Sequence, residues 1–330
     1  MRILIIGDTH FHNWDFPLNE YQKKFLFEIL PELVDKEKPE TIVFLGDIFE
    51  SKTNVDKKIL SEVIEGIGVL QTKVLNIFII AGNHDYYSIT EGVTLPFKGS
   101  NIQVITKPKV TTLNGFRVGF VPWVPNAVDS VEVKAVIKDS DIIFSHLDIA
   151  DIPYSPYAKI KAKNALGLPE FNGKIVFNGH YHIPGTYGSV VNVGSIAQFD
   201  ISEIGTKKRL CLFDSKTDEL KNVPLPHPQF VIVERIEEYN YLKEKQDFNI
   251  IPYYDVSKIK KPSVDLKQNI NFESTADSED SPMNLIELTL SALRKMYESL
   301  PPDDKKLVTY EELEDMVKDA YFERSWRIWK

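Results

Sequence analysis

Val74-Leu75-Asn76-Ile77-Phe78-Ile79-Ile80-Ala81-Gly82-Asn83-His84-Asp85 is the stretch that decides the fold. An apolar run stops at Gly82 and then presents an amide, an imidazole and a carboxylate in succession. That reads as a buried strand delivering polar side chains to a sheet's carboxyl edge, where open α/β folds bind ligands. The pattern recurs along the chain. Ile3 leads to Asp8-Thr9-His10, Thr41 to Gly46-Asp47, Asp141 to Ser145-His146, and Ile175 to Gly179-His180-Tyr181-His182. All these strand ends aim the same kind of chemistry at one edge.

Working outward, Ile3-Leu4-Ile5-Ile6 is continuously apolar, as strands buried on both faces are. Asn19-Glu20-Tyr21-Gln22 reads as a capping box opening a helix with Phe25, Ile29 and Leu33 on one face. Pro31 predicts a kink or an early end, and Pro39 closes the segment. After the strand Thr41-Ile42-Val43-Phe44-Leu45, a second helix is marked by Ile59, Val63, Ile67 and Leu70 and weakened by Gly66 and Gly68. Successive strand-helix-strand units predict a parallel sheet with right-handed crossovers. Val110 to Thr112, Asn114-Gly115 and Phe116 to Phe120 form a hairpin signal with a primed turn, so antiparallel strands are added. Ile142-Ile143-Phe144, Ile175-Val176-Phe177, Val190-Val191-Asn192-Val193 and residues 209–213 complete the sheet. The polar segment 151–172 reads either as a lid over the strand ends or as a surface excursion.

The chain has 330 residues and a formal net charge of −9. The length predicts one large domain and a smaller one, and the charge argues against a surface that holds nucleic acid by its own basic field, so that any DNA contact needs local patches or bound cations. Cys211, the single cysteine, lies in the apolar run Leu210-Cys211-Leu212-Phe213. A buried thiol in a reducing compartment is expected, with no internal disulfide framework. No stretch approaches a transmembrane span, and the opening strand is too short for a signal sequence, so a cytoplasmic location is expected.

Val223-Pro224-Leu225-Pro226-His227-Pro228 marks a boundary. Residues 1–222 form the main domain, and 223–257 begin a small cap with a strand at Phe230-Val231-Ile232-Val233 and an amphipathic segment over 239–246. Residues 258–281, acidic and poor in apolar side chains, read as a flexible linker. Residues 282–330 read as a helical element: Ser281-Pro282 caps a face of Ile286, Leu290, Leu293 and Tyr297, and Thr309-Tyr310-Glu311-Glu312 is a further capping box. These helices either dock a partner or fold back on the main domain. There is no internal repeat.

Of the 7 histidines, His10, His12, His84, His146, His180 and His182 fall in the motif-bearing stretches. His12 reads as a structural residue. The others, accompanied by Asp, Asn and Gly at strand ends, suit Mn²⁺, Fe or Zn²⁺ rather than an all-oxygen cage or a thiolate site. Asp8, His10, Asp47, Asn83, His146, His180 and His182 are too many ligands for one ion that must keep an open position. Two ions about 3.5 to 4 Å apart, bridged by Asp47, can clamp the oxygens of a phosphoryl centre during in-line displacement. His84 remains as a candidate general acid or transition-state stabiliser, oriented by Asp85.

As an ordered set, Asp8-Thr9-His10, Gly46-Asp47, Gly82-Asn83-His84-Asp85, Ser145-His146 and Gly179-His180-Tyr181-His182 resemble the motifs of the calcineurin-like metallophosphoesterases. The resemblance implies an α/β fold: a two-sheet α/β metallophosphoesterase sandwich with a smaller α/β cap and a helical C-terminal tail. It implies that Asp8, His10, Asp47 and His182 hold one metal, and Asp47, Asn83, His146 and His180 the other. Gly46-Asp47-Ile48-Phe49 followed by an acid, the His-Tyr-His ending, and Val193-Gly194-Ser195-Ile196 leading to Asp200-Ile201-Ser202-Glu203 are most similar to the Mre11/SbcD nucleases, especially the phage and bacterial type.

That likeness implies an exo/endonuclease cutting DNA phosphodiesters as a homodimer. Two divalent ions are implied, Mn²⁺ first, with Mg²⁺, Fe or Zn²⁺ as alternatives. It also implies a Rad50/SbcC-like coiled-coil ATPase bound through the C-terminal helices, a role in DNA repair or recombination, and host-cell cytoplasm if the gene is a phage's. Glu50 departs from the archaeal and eukaryotic pattern, which has His there; it reads as a base behind the ligands or as a helix-start charge. The competing readings are a stand-alone phosphatase or cyclic-nucleotide phosphodiesterase, and last an inactive scaffold, which would have lost ligands that are all present here.

Overall fold

The structure is a computed structural model whose described residues are 1–254 apart from 89–91, 94, 156–157, 160–164 and 234. The linker expected at 258–281 and the helices expected over 282–330 lie outside the described residues.

Strands that are apolar at every position need two covered faces, and the fold supplies them by stacking two 6-stranded sheets. The first runs Glu219–Pro224, Arg209–Asp214, Arg2–Ile6, Thr41–Phe44, Asn76–Ile80, Ile102–Ile105, the last four parallel. The second runs Gly185–Tyr187, Val190–Asn192, Ile175–Asn178, Ile142–Ser145, Phe116–Val121, Lys109–Leu113, with antiparallel strands at both edges. The late strands therefore do not complete one sheet, as their local pattern suggests. Residues 209–214 join the first sheet, and 142–145, 175–178 and 190–192 build the second.

Alternation along each strand divides the core. Ile3, Ile5, Val43, Phe78 and Phe213 face the second sheet's Val118, Phe120, Ile142, Phe144 and Phe177. Ring contacts run through this layer, from Phe78–Phe120 at 4.6 Å to Phe177–Phe213 at 5.3 Å between centroids. Leu4, Ile6, Ile42 and Phe44 face the other way, onto helices at 18–37 and Lys57–Gln71. On the second sheet's outer face, Ile143 and Val176 pack with Val133, Val136 and Ile137 of the helix Val131–Asp139. The result is a helix/sheet/sheet/helix sandwich.

Local chemistry modifies several expected elements. The first helix starts at Leu18 behind Pro17, so Asn19 lies inside the first turn rather than capping it. Pro31 does not end this helix. A π-helical turn, Phe25–Ile29, precedes it, with Leu30 N–H donating to Phe25 O, and the helix continues over Leu30–Glu37. Asn114 and Gly115, at φ 48° and 86°, make the expected primed hairpin turn. Cys211 is buried, which pushes its thiol up to about 11. Beyond the prolines, Gln229–Val233, the helix Ile236–Lys245 and Ile250–Tyr254 form a parallel strand-helix-strand unit. Within 151–172, Ile152, Leu166 and Phe171 are buried against the second sheet. Among the described residues, no helix is long and apolar enough to cross a membrane.

Candidate metal centre

Both sheets deliver their polar residues at the carboxyl ends of parallel strands. Asp8, Asp47 and Asn83 follow three strands of the first sheet; His146, His180 and His182 follow two of the second. The connections are tight. A Cβ on Gly82 would sit 2.2 Å from Asp47 Oδ1, and one on Gly46, whose φ is 116°, would sit 2.6 Å from His146 Nδ1. His10, Asp47 and His180 hold φ values of 43°, 49° and 74°. Side-chain-bearing residues rarely adopt that left-handed conformation, and it persists where the surroundings over-determine it, as at functional sites.

Each imidazole has one nitrogen engaged by a protein oxygen and the other turned to a site residue. His146 Nδ1 pairs with Leu45 O at 2.9 Å, and Nε2 lies 3.0 Å from Asn83 Oδ1. His180 Nε2 meets Asp148 Oδ1 at 2.9 Å, and Nδ1 lies 2.9 Å from Asn83 Oδ1. His182 Nδ1 meets Glu203 Oε1 at 2.8 Å, and Nε2 lies 3.0 Å from His10 Nε2. His10 Nδ1 is 2.6 Å from Glu50 Oε2, and its Nε2 is 3.6 Å from Asp47 Oδ2. Asp8 Oδ1 accepts from the backbone N–H of His180 at 3.0 Å, while Oδ2 is buried with no hydrogen-bond partner among the described residues.

These donors fit divalent cations. The opposed nitrogens of His10 and His182 need a shared proton or cation between them, and the orphaned Asp8 oxygen needs a positive partner. Burial opposes charge on His10, yet Glu50, Asp47 and Asp8 push it up to about 9. Burial is likewise overcome at His146, where Asp47 and Asp8 raise it to about 9. Asp47 is held well below the usual carboxylate range: burial opposes this, but His146, His84 and His10 outweigh it. The carboxylates here thus favour positive charge among the imidazoles, a field that would favour divalent cations in the same place. Asp47, His146 and His180 form one potential ligand group, and His10, Glu50 and His84 another.

His84 donates its backbone N–H to Asp47 Oδ1 at 2.7 Å, and its Nδ1 is 2.6 Å from Glu50 O. The expected orientation of this ring by Asp85 is not what the geometry gives. Asp85 accepts instead from Gly82 N–H (2.8 Å) and Ile48 N–H (3.0 Å), bracing the turns that carry Asn83 and Asp47. Burial, then the Asp47 charge, push the Asp85 carboxyl up to about 7. Glu50 touches His10 and His84 rather than starting a helix, because the following helix is capped by Asp56. His12 stands outside the cluster, its ring edge-on to Trp14 at 5.1 Å.

Sequence reasoning misses Asp148 and Lys208, and assigns Glu203 no role. The signal for Asp148 is only its position two residues past His146, and Glu203 follows the strand-end residues 193–196 without a periodicity to mark it.

Fold and site together define a metal-dependent phosphoesterase. Residues 1–184 match the calcineurin-like phosphoesterases, and the chain belongs to that family, whose members are hydrolases acting on phosphoester bonds with divalent metals. Among its relatives, exonuclease subunit 1 of Enterobacteria phage T4 is 22% identical over 236 residues, spanning 68% of each chain. The D component of the nuclease SbcCD from Staphylococcus epidermidis is 24% identical over 288 residues, covering 74% of this chain and 76% of that one. A solved archaeal phosphodiesterase is a looser likeness, at 13% identity and a TM-score of 0.36, covering 68% of this chain and 100% of that one.

Proposed function

We propose that this chain is a two-metal DNA phosphodiesterase with exo/endonuclease activity, the homodimeric nuclease component of an assembly like SbcCD or Mre11–Rad50. The observation that carries the reading is the convergence of seven ligand candidates from the strand ends of both sheets, His10 against His182 and both His146 and His180 against Asn83, with a buried Asp8 oxygen that has no hydrogen-bond partner among the described residues. Asp8, His10, Asp47 and His182 would hold one ion, and Asp47, Asn83, His146 and His180 the other. Mn²⁺ suits this nitrogen and oxygen set. When bound, such ions polarise a backbone phosphate and stabilise its developing charge. The likeness to a phage exonuclease and a bacterial nuclease supports DNA as the substrate.

The chain's own residues do the rest. His84, fixed through its backbone to Asp47 and through Nδ1 to Glu50 O, would give a proton to the departing sugar oxygen. Asp85 holds the Gly82 and Ile48 amides so that Asn83 and Asp47 keep their places. A net charge of −9 gives the chain little field of its own for a duplex, which supports a partner supplying phosphate contacts. That partner would be a coiled-coil ATPase docked through residues 282–330.

His84→Gln tests the mechanism. The variant should bind Mn²⁺ as the wild type does in calorimetry, while kcat falls by about 10²-fold or more. Unchanged turnover would remove His84 from the reaction.

A further inference from the structure

Behind His182 lies a charged cluster that the proposed reaction does not use. Glu203 and Lys208 are each 1% exposed, and Ser195 is fully buried. Glu203 Oε1 meets His182 Nδ1 at 2.8 Å and accepts from the backbone N–H groups of Phe199 (3.2 Å) and Asp200 (3.1 Å). Its Oε2 accepts from Lys208 Nζ and lies 3.2 Å from Ser195 Oγ. Lys208 Nζ also donates to Ser195 Oγ at 2.9 Å and to the carbonyl of His182 itself at 2.8 Å.

A buried ion pair is a poor source of stability, because desolvation offsets most of its attraction. This one grips a single residue twice, Glu203 by the ring of His182 and Lys208 by its backbone. The neighbouring imidazole is held differently. Asp148, behind His180, has a side chain 34% exposed, against 2% for Glu203.

We propose that Glu203 and Lys208 are a positioning pair that locks His182 with Nδ1 engaged and Nε2 offered to a metal, making the Asp8–His10–His182 side of the centre the one that fills first. This rests on the two-metal reading. Glu203 sets the ring, and Lys208 aims Glu203 while pinning the chain beneath the ring.

The test is calorimetric titration of the metal-free full-length chain with Mn²⁺. Wild type should bind in a tight and a weaker step. Glu203→Leu combined with Lys208→Met removes both charges at once, so that neither is left buried and unpaired. It should fold with a cooperative melt yet bind the tight Mn²⁺ about 10- to 100-fold more weakly. Asp148→Asn should weaken the other step instead. A double variant that binds both ions as wild type does would overturn the proposal. If the double variant does not fold, Glu203→Gln decides by the same criterion. Wild type that takes up no Mn²⁺ would mean that the two-metal reading itself has failed.

Discussion

At the centre, His10, His146, His180 and His182 each have one ring nitrogen held by Glu50, Leu45, Asp148 and Glu203, so the other is set before any ligand arrives. That arrangement has a price in acid. Burial by itself raises the Glu203 carboxyl, but the charges of His182 and Lys208 hold it at about 2, below its ordinary 4.5. Its contribution to stability is therefore complete above pH 4.5 and is lost as pH falls toward 2. Urea denaturation across that range should show a slope in wild type that Glu203→Gln reduces; parallel slopes would deny Glu203 that role. The ligand candidates are legible in the sequence because each ends an apolar run, and position alone exposes Asp8, Asp47, Asn83 and His146. Glu203 ends the short 3₁₀ turn Ile201–Glu203 and Asp148 lies in an irregular stretch, and only the folded chain reveals what they touch. The role expected of Asp85 differs for a similar reason: adjacency to His84 in sequence says nothing of which backbone amides its oxygens will meet.

At the scale of elements, the helix Lys57–Gln71 carries two glycines with opposite meanings. A Cβ on Gly66 would sit 2.3 Å from Leu26 Cγ, so this glycine lets the helix close onto the one before it, whereas a Cβ on Gly68 would meet nothing within 4 Å. Gly66→Ala should destabilise the protein by about 1–3 kcal/mol through overpacking. Gly68→Ala should stabilise it by about 0.5–1 kcal/mol through helix propensity. Thermal melts of the two variants check both signs, and equal shifts would contradict the packing account. Both glycines look alike as breakers in sequence, because propensity does not see a neighbour. The π turn before Pro31 is equally hidden: a proline announces a missing N–H, not how the helix will accommodate it. The helix Val131–Asp139 leaves a weak signal too, its first residue Val131 being 80% exposed.

For the whole molecule, strand-end chemistry is legible residue by residue, yet the division into two sheets is not. A run such as Ile142-Ile143-Phe144 says that both faces are covered without saying by what, and register between sheets depends on contacts far apart in the chain. The family resemblance supplies the two-sheet sandwich, and the ring contacts between Phe78 and Phe120 bear it out. On the proposed reading, function at this scale turns on a partner. A chain truncated before residue 282 should keep its Mn²⁺ binding and lose co-purification with a coiled-coil ATPase; a truncated chain that still co-purifies would remove the docking role. The central measurement is Mn²⁺-dependent hydrolysis of an end-labelled linear duplex by the purified full-length chain, with bis-p-nitrophenyl phosphate in parallel and His84→Gln as control. Hydrolysis of both substrates, lost in the variant, is the expected result. Hydrolysis of neither, at Mn²⁺ concentrations that saturate the protein, would contradict a two-metal phosphodiesterase.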